Sequence, residues 1–127
     1  MERKITEHFR LIKCICPCCK RVKIVKQFFH HMELLEEMRV ILGFPIYITS
    51  AYRCKEHNTE VGGSKESQHM IFATDVTAKF GNGFKQRLEA MHKMAVRLKF
   101  GSIIYHDSFL HLDTRRRKYH DDKRKTT

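Results

Sequence analysis

The stretch Ser102–Asp113, SIIYHDSFLHLD, carries the reading on which the fold turns. SIIYH and FLHLD both have strand character, and Asp107 and Ser108 between them are turn formers, so the segment predicts a tight antiparallel hairpin. Side chains alternate across a strand: Leu110 and Leu112 go to one face, Phe109, His111 and Asp113 to the other. Two leucines then fill a core while His111 looks into a cleft. If Asp107 and Ser108 form the turn, His106 opposes Phe109 and shares the face of His111, as a diagonal neighbour roughly 7–8 Å away. A longer turn would change that register.

Upstream of the hairpin, residues 84–98 repeat apolar side chains at Phe84, Leu88, Met91, Ala95 and Leu98, the period of an amphipathic helix. GNG precedes it as a break, and FATDVTA before that is a short strand candidate. From Ala51 to Gln68 the chain is polar, holds Gly62 and Gly63, and shows neither helical nor strand period. An exposed loop is expected there, and so long a loop in a compact domain is a place to look for chemistry. PIYITS, from Pro45 to Ser50, reads as a strand. Residues 27–42 place Phe28, Met32, Leu35, Met38 and Leu42 on one helical face, with Gly43 as the stop. The mixed order predicts an α+β domain: a small antiparallel sheet packed with two main helices.

A chain of 127 residues fits one domain, expected over residues 1–114. Residues 115–127, RRRKYHDDKRKTT, have no apolar period and are expected to fray as a basic, flexible tail. No apolar run approaches the roughly 18 residues of a membrane span, so no membrane insertion is expected. MERKITEHFRLIK lacks the apolar stretch and cleavage site of a secretory signal. The formal charge of +11 points to an anionic partner, either nucleic acid or an anionic envelope polymer. Four of the five cysteines crowd into CICPCC, at Cys14, Cys16, Cys18 and Cys19, with Cys54 apart. A second metal site with Cys54, His30 or His31, or a disulfide from Cys54 back to the cluster, are both open.

A hydrolytic zinc site needs about three protein ligands and an open position, and His69, Asp75 and His111 supply such a set. SAYRCKEHN (Ser50 to Asn58), VGG (Val61 to Gly63), ESQHMIFATDV (Glu66 to Val76) and FLHLDTR (Phe109 to Arg115) stand in an order that resembles the zinc D-alanyl-D-alanine carboxypeptidase family. That family also includes phage L-alanyl-D-glutamate endolysins, and its fold is shared by the hedgehog signalling domain. The resemblance runs from the cysteine cluster to Arg115. It implies zinc held by His69, Asp75 and His111, Arg53 against the substrate and the developing oxyanion, and Ser67 and Gln68 shaping the pocket wall. The implied substrates are the stem peptides of bacterial cell wall, cut by metal-assisted amide hydrolysis.

Two features depart from the family pattern. S-x-H-x-x-G-x-A-x-D is here S-Q-H-M-I-F-A-T-D, one residue shorter and without the glycine. In a plain strand that loss would turn Asp75 to the opposite face, so a loop or bulge must absorb it. Endolysin relatives also carry a carboxylate three residues before the last histidine ligand, where this chain has Ser108. Some carboxypeptidase relatives use a histidine five residues before it, the place of His106, which is the favoured general base. Asp107 is the runner-up, and Asp113 suits orienting a ligand or pairing with Arg115.

The leading expectation is a zinc peptidase acting at the bacterial cell wall, released from the cytoplasm in the manner of a phage lysin. A zinc-stabilised binding module of the same fold is the alternative. A nucleic-acid-binding protein ranks last, since it leaves the SQH and HLD motifs unexplained.

Overall fold

The structure, a computed structural model, describes residues 3–23, 25–64 and 67–125, and the backbone alone at Met70. Glu66 of the third motif and the last two residues of the basic segment lie outside the described residues. Helix α1 (Lys26–Leu42) buries Phe28, Met32, Leu35 and Met38 and ends at Gly43. Strand β1 (Tyr47–Ser50) follows, then a short helix α2 (Lys55–Glu60), a 3-10 turn (Gln68–Met70) and β2 (Ala73–Thr77). Helix α3 (Phe84–Arg97), which buries Leu88, Met91 and Ala95, leads to β3 (Ser102–Tyr105), β4 (Leu110–Asp113) and β5 (Tyr119–Asp122). The five strands form one sheet in the order β1-β2-β4-β3-β5.

The hairpin has the expected two-residue turn. Tyr105 pairs with Leu110 and Ile104 with His111, and the His106 amide donates to the Phe109 carbonyl at 2.9 Å. Leu110 and Leu112 are fully buried in the core with Val76, Ile103 and Tyr105, and α1 and α3 cover that face. The opposite face carries Asp75, Ile104 and His111. Apolar residues at helical spacing and at strand spacing thus close one core between the helices and the sheet, and the sheet's other side is left free for polar chemistry.

Three expectations need correction. The sheet is mixed, because β5 runs parallel to β3. Residues 115–127 do not simply fray: Tyr119–Asp122 is that fifth strand, tied by the Tyr119 amide to the Gly101 carbonyl at 2.8 Å and the Lys123 amide to the Tyr105 carbonyl at 2.7 Å. Backbone hydrogen bonds at a sheet edge need no apolar period, which is why the charged sequence hid it. Gly101 makes the passage possible, since a Cβ there would stand 2.1 Å from the Arg115 carbonyl oxygen. The loop from Ala51 to Gln68 also contains α2, a helix of six residues capped by the Cys54 sulfur, which accepts from the His57 amide. Among the described residues no helix is long and apolar enough to cross a membrane.

Candidate metal centre

His69, Asp75 and His111 come together on the free face of the sheet, with one donor atom from each lying within 4.8 Å of the others. The shortened spacing between His69 and Asp75 is absorbed before the strand begins. His69 sits in the 3-10 turn, Ile71 leaves it with φ −101° and ψ −83°, and β2 starts only at Ala73. Asp75 then pairs directly with His111 across β2 and β4, so both side chains share a face. Beside it, β1 is bulged between Ile48 and Ser50, and the Thr49 hydroxyl donates to the Asp75 carbonyl at 3.2 Å.

Each imidazole is oriented from behind. Nδ1 of His69 lies 2.7 Å from the Ala51 carbonyl, which only accepts, so the ring proton is on Nδ1 and Nε2 presents a lone pair. Nε2 of His111 lies 3.0 Å from Oδ2 of the fully buried Asp113, which leaves Nδ1 to face inward. Asp113 is itself gripped by Arg115 through the backbone amide, Nε and Nη2 at 2.8–3.2 Å. Asp113 thus touches both His111 and Arg115. The two inward nitrogens each lie 3.2 Å from the same Asp75 oxygen.

In the neutral tautomers that these contacts set, both inward nitrogens turn lone pairs toward the Asp75 oxygen, and among the described residues no other donor stands between the three atoms. A tetrahedral zinc with N and O ligands at roughly 2.0–2.1 Å holds its donors about 3.3 Å apart, close to the separations observed. Without a cation the cluster must share protons instead. Burial alone would push the Asp75 carboxyl up, but hydrogen bonds and charge from His111 and His69 hold it well below the usual carboxylate range. Burial would likewise push His111 down, yet Asp113 and Asp75 raise it above the ordinary histidine value. A carboxylate that strongly favours its charged form, flanked by two imidazoles, suits a divalent cation.

The centre opens into a cleft of about 540 Å³. Arg53 lines it; its backbone amide donates to the His69 carbonyl at 2.9 Å, and Nη1 donates to Oδ1 of the buried Asn58 at 3.2 Å. Gly63 leaves room for that arrangement, since a Cβ there would meet Asn58 Oδ1 at 2.1 Å and Arg53 Nη1 at 2.8 Å. Ser67 and Gln68 form part of the wall, and the Ser67 hydroxyl accepts from the His69 amide at 3.2 Å. His106 faces the cleft, half-buried, with its ring stacked on Phe109 at 4.2 Å between centroids. Burial is the largest influence on its pKa, which lies below the ordinary histidine value.

Asp107 is not brought to the cleft. It follows His106 in the turn, is exposed, and accepts from the Lys125 amide at 2.9 Å, so the runner-up base faces away from the centre. No residue pattern signals the Ala51 carbonyl that orients His69, because a main-chain oxygen has no side-chain signature. Tyr119 was missed with β5, from which it reaches the cleft beside Arg115.

A comparison with curated proteins finds no match for the chain. A sequence profile of the peptidase M15 family matches residues 7–113, a span that holds all three inward-facing side chains, Arg53 and His106. The chain belongs to the peptidase M15 family, whose members are metal-dependent peptidases.

Proposed function

We propose that this chain is a zinc peptidase that hydrolyses peptide bonds in the stem peptides of peptidoglycan. The observation that carries the reading is the trio of acceptor atoms on His69, Asp75 and His111, spaced as zinc ligands are and open to a cleft on one side. Zinc, when bound, supplies Lewis-acid polarisation of the scissile carbonyl and activation of water.

The chain's own residues do the rest. The Ala51 carbonyl and Asp113 fix the tautomers of the two histidines, so both lone pairs stay aimed at the centre. His106, neutral at neutral pH because burial depresses its pKa, takes the proton from the attacking water and returns it to the leaving amine. Arg53, braced by Asn58, donates to the oxygen on which negative charge grows. Ser67 and Gln68 flank the substrate. A histidine base in place of a carboxylate favours removal of a terminal D-alanine over cleavage between L-alanine and D-glutamate. The charge of +11 suits attraction to an anionic wall and needs no nucleic-acid partner.

The test is incubation of the purified protein with peptidoglycan fragments, with and without chelator, followed by mass spectrometry. Loss of D-alanine that stops with chelator supports the proposal; release of an intact L-alanine end instead assigns the endopeptidase reaction. Unaltered fragments alongside stoichiometric zinc would replace the enzyme with a zinc-stabilised binding module.

A further inference from the structure

Away from the cleft, the N-terminal segment and the loop after β1 bring a second group of donors together. Residues 16–21 double back on themselves: the Cys16 amide donates to the Arg21 carbonyl at 2.7 Å, the Lys20 amide to the Cys16 carbonyl at 2.8 Å, and Lys20 takes a positive φ of 60°. This knuckle points the thiols of Cys16 and Cys19 at Cys54, and one sulfur from each of the three lies within 4.8 Å of the others. Cys18, exposed beside Cys19 on the same knuckle, lies outside that trio, near enough to Cys54 to raise the pKa of its thiol. None of the cysteines is in a disulfide.

We propose that Cys16, Cys19 and Cys54, with Cys18 as the fourth ligand, form a structural zinc site distinct from the centre in the cleft. Tetrahedral zinc with sulfur ligands at roughly 2.3 Å sets sulfurs about 3.8 Å apart. Cys16 and Cys54 stand 3.6 Å apart, whereas a disulfide requires about 2.05 Å. Backbone amides already point at the sulfurs, Cys54 N at Cys16 Sγ and His57 N at Cys54 Sγ, both at 3.4 Å. Such donors stabilise thiolates, the form in which cysteine binds metal, and each thiol releases its proton to solvent as zinc enters. A disulfide would use two of these thiols and strand the others beside it.

Cys14 shows the contrast. It is fully buried, its sulfur packs 3.9 Å from that of Met32, and it belongs to the apolar core. His31 stays out as well, buried and bonded to the Thr74 hydroxyl at 2.7 Å, and His30 lies exposed on α1. His57, three residues beyond Cys54, contributes its amide to the cap. The position of the site gives it a purpose: it clamps the N-terminal segment to the residue that follows Arg53, and so fixes the loop between β1 and α2 from which Arg53 enters the cleft.

The experiment counts zinc and identifies its ligands on the full chain, purified under reducing conditions. Wild type is expected to hold two zinc ions per chain, His69→Ala/His111→Ala one, and Cys16→Ser/Cys54→Ser one. Cobalt substitution adds a readout independent of activity: the near-ultraviolet thiolate charge-transfer band should appear in wild type and in His69→Ala/His111→Ala. Should the cysteine variant fail to fold, titration of wild type with a mercurial reagent decides, and is expected to release one of the two zinc ions. A wild type without the thiolate band, or one in which Cys16 and Cys54 are recovered as a linked peptide, overturns the proposal. One zinc per chain with a full thiolate band, retained in His69→Ala/His111→Ala, leaves this site standing and sinks the one in the cleft.

Discussion

Asp113→Asn removes a charge from behind the candidate centre without changing the size of the side chain. Oδ2 of Asp113 takes both His111 Nε2 at 3.0 Å and Arg115 Nη2 at 2.8 Å, while Oδ1 takes the Arg115 amide and Nε at 3.1 and 3.0 Å. An asparagine amide nitrogen in the Oδ1 place faces the Arg115 amide and Nε, and in the Oδ2 place it faces Arg115 Nη2 and forces His111 to change tautomer, so hydrogen bonds to Arg115 are lost whichever way the group turns. At about 1.5–3 kcal/mol for a bond to a charged group, and with Asp113 fully buried, the metal-free protein should lose about 3–5 kcal/mol of stability. The ring of His111 loses its orientation as well, and zinc affinity should fall roughly 10–100-fold. Denaturant unfolding in chelator reads the first effect, and competition with a chromophoric chelator reads the second. If stability falls but zinc affinity stays within about twofold of wild type, Asp113 does not orient a metal ligand.

Replacing His106 with alanine should lower turnover roughly 10²–10⁴-fold while leaving zinc content unchanged; full activity would reject it as base. The acid limb of kcat/KM should lie below pH 6.5, because burial lowers the His106 pKa. Gly63→Ala pushes Asn58 against Arg53 and should cost roughly 10²-fold in kcat/KM with normal zinc binding; a wild-type value would remove Arg53 from the reaction. Burial holds the pKa of His31 down to about 3, against 6.5 in the unfolded chain. The unfolded state therefore binds the extra proton between those values. Stability should be full above pH 6.5 and decline towards pH 3, by up to roughly 5 kcal/mol. In His31→Leu that part of the slope should vanish, as followed by unfolding midpoints across the range, and an unchanged slope would count against it.

The hairpin was legible because both of its sides obey one simple rule. Two leucines at alternate positions fix which face is core, and the two-residue turn then fixes His106 beside His111. The helices were legible for the same reason, with every residue of the two apolar stripes buried or packed against the core. The sequence left β5 hidden, since YHDD is held by main-chain hydrogen bonds at an edge and buries nothing apolar. It hid α2 too, where KEHNTE is short, polar and dependent on a sulfur cap. Asp75 lay between these cases. Its residue type was readable, but its face depended on how many residues the turn before β2 consumed, and a periodic pattern cannot supply that. The choice between the two bases rested on the family resemblance, and it is the two-residue turn that puts His106 in the cleft and Asp107 outside it.

Anomalous diffraction at the zinc absorption edge, from crystals of the zinc-loaded protein, locates the ion itself. It should show a peak bonded to Nε2 of His69, one carboxylate oxygen of Asp75 and Nδ1 of His111, with the His111 Nε2 still on Asp113. A cleft with no such peak, or a zinc held there without Asp75, would rule out His69, Asp75 and His111 as the metal centre.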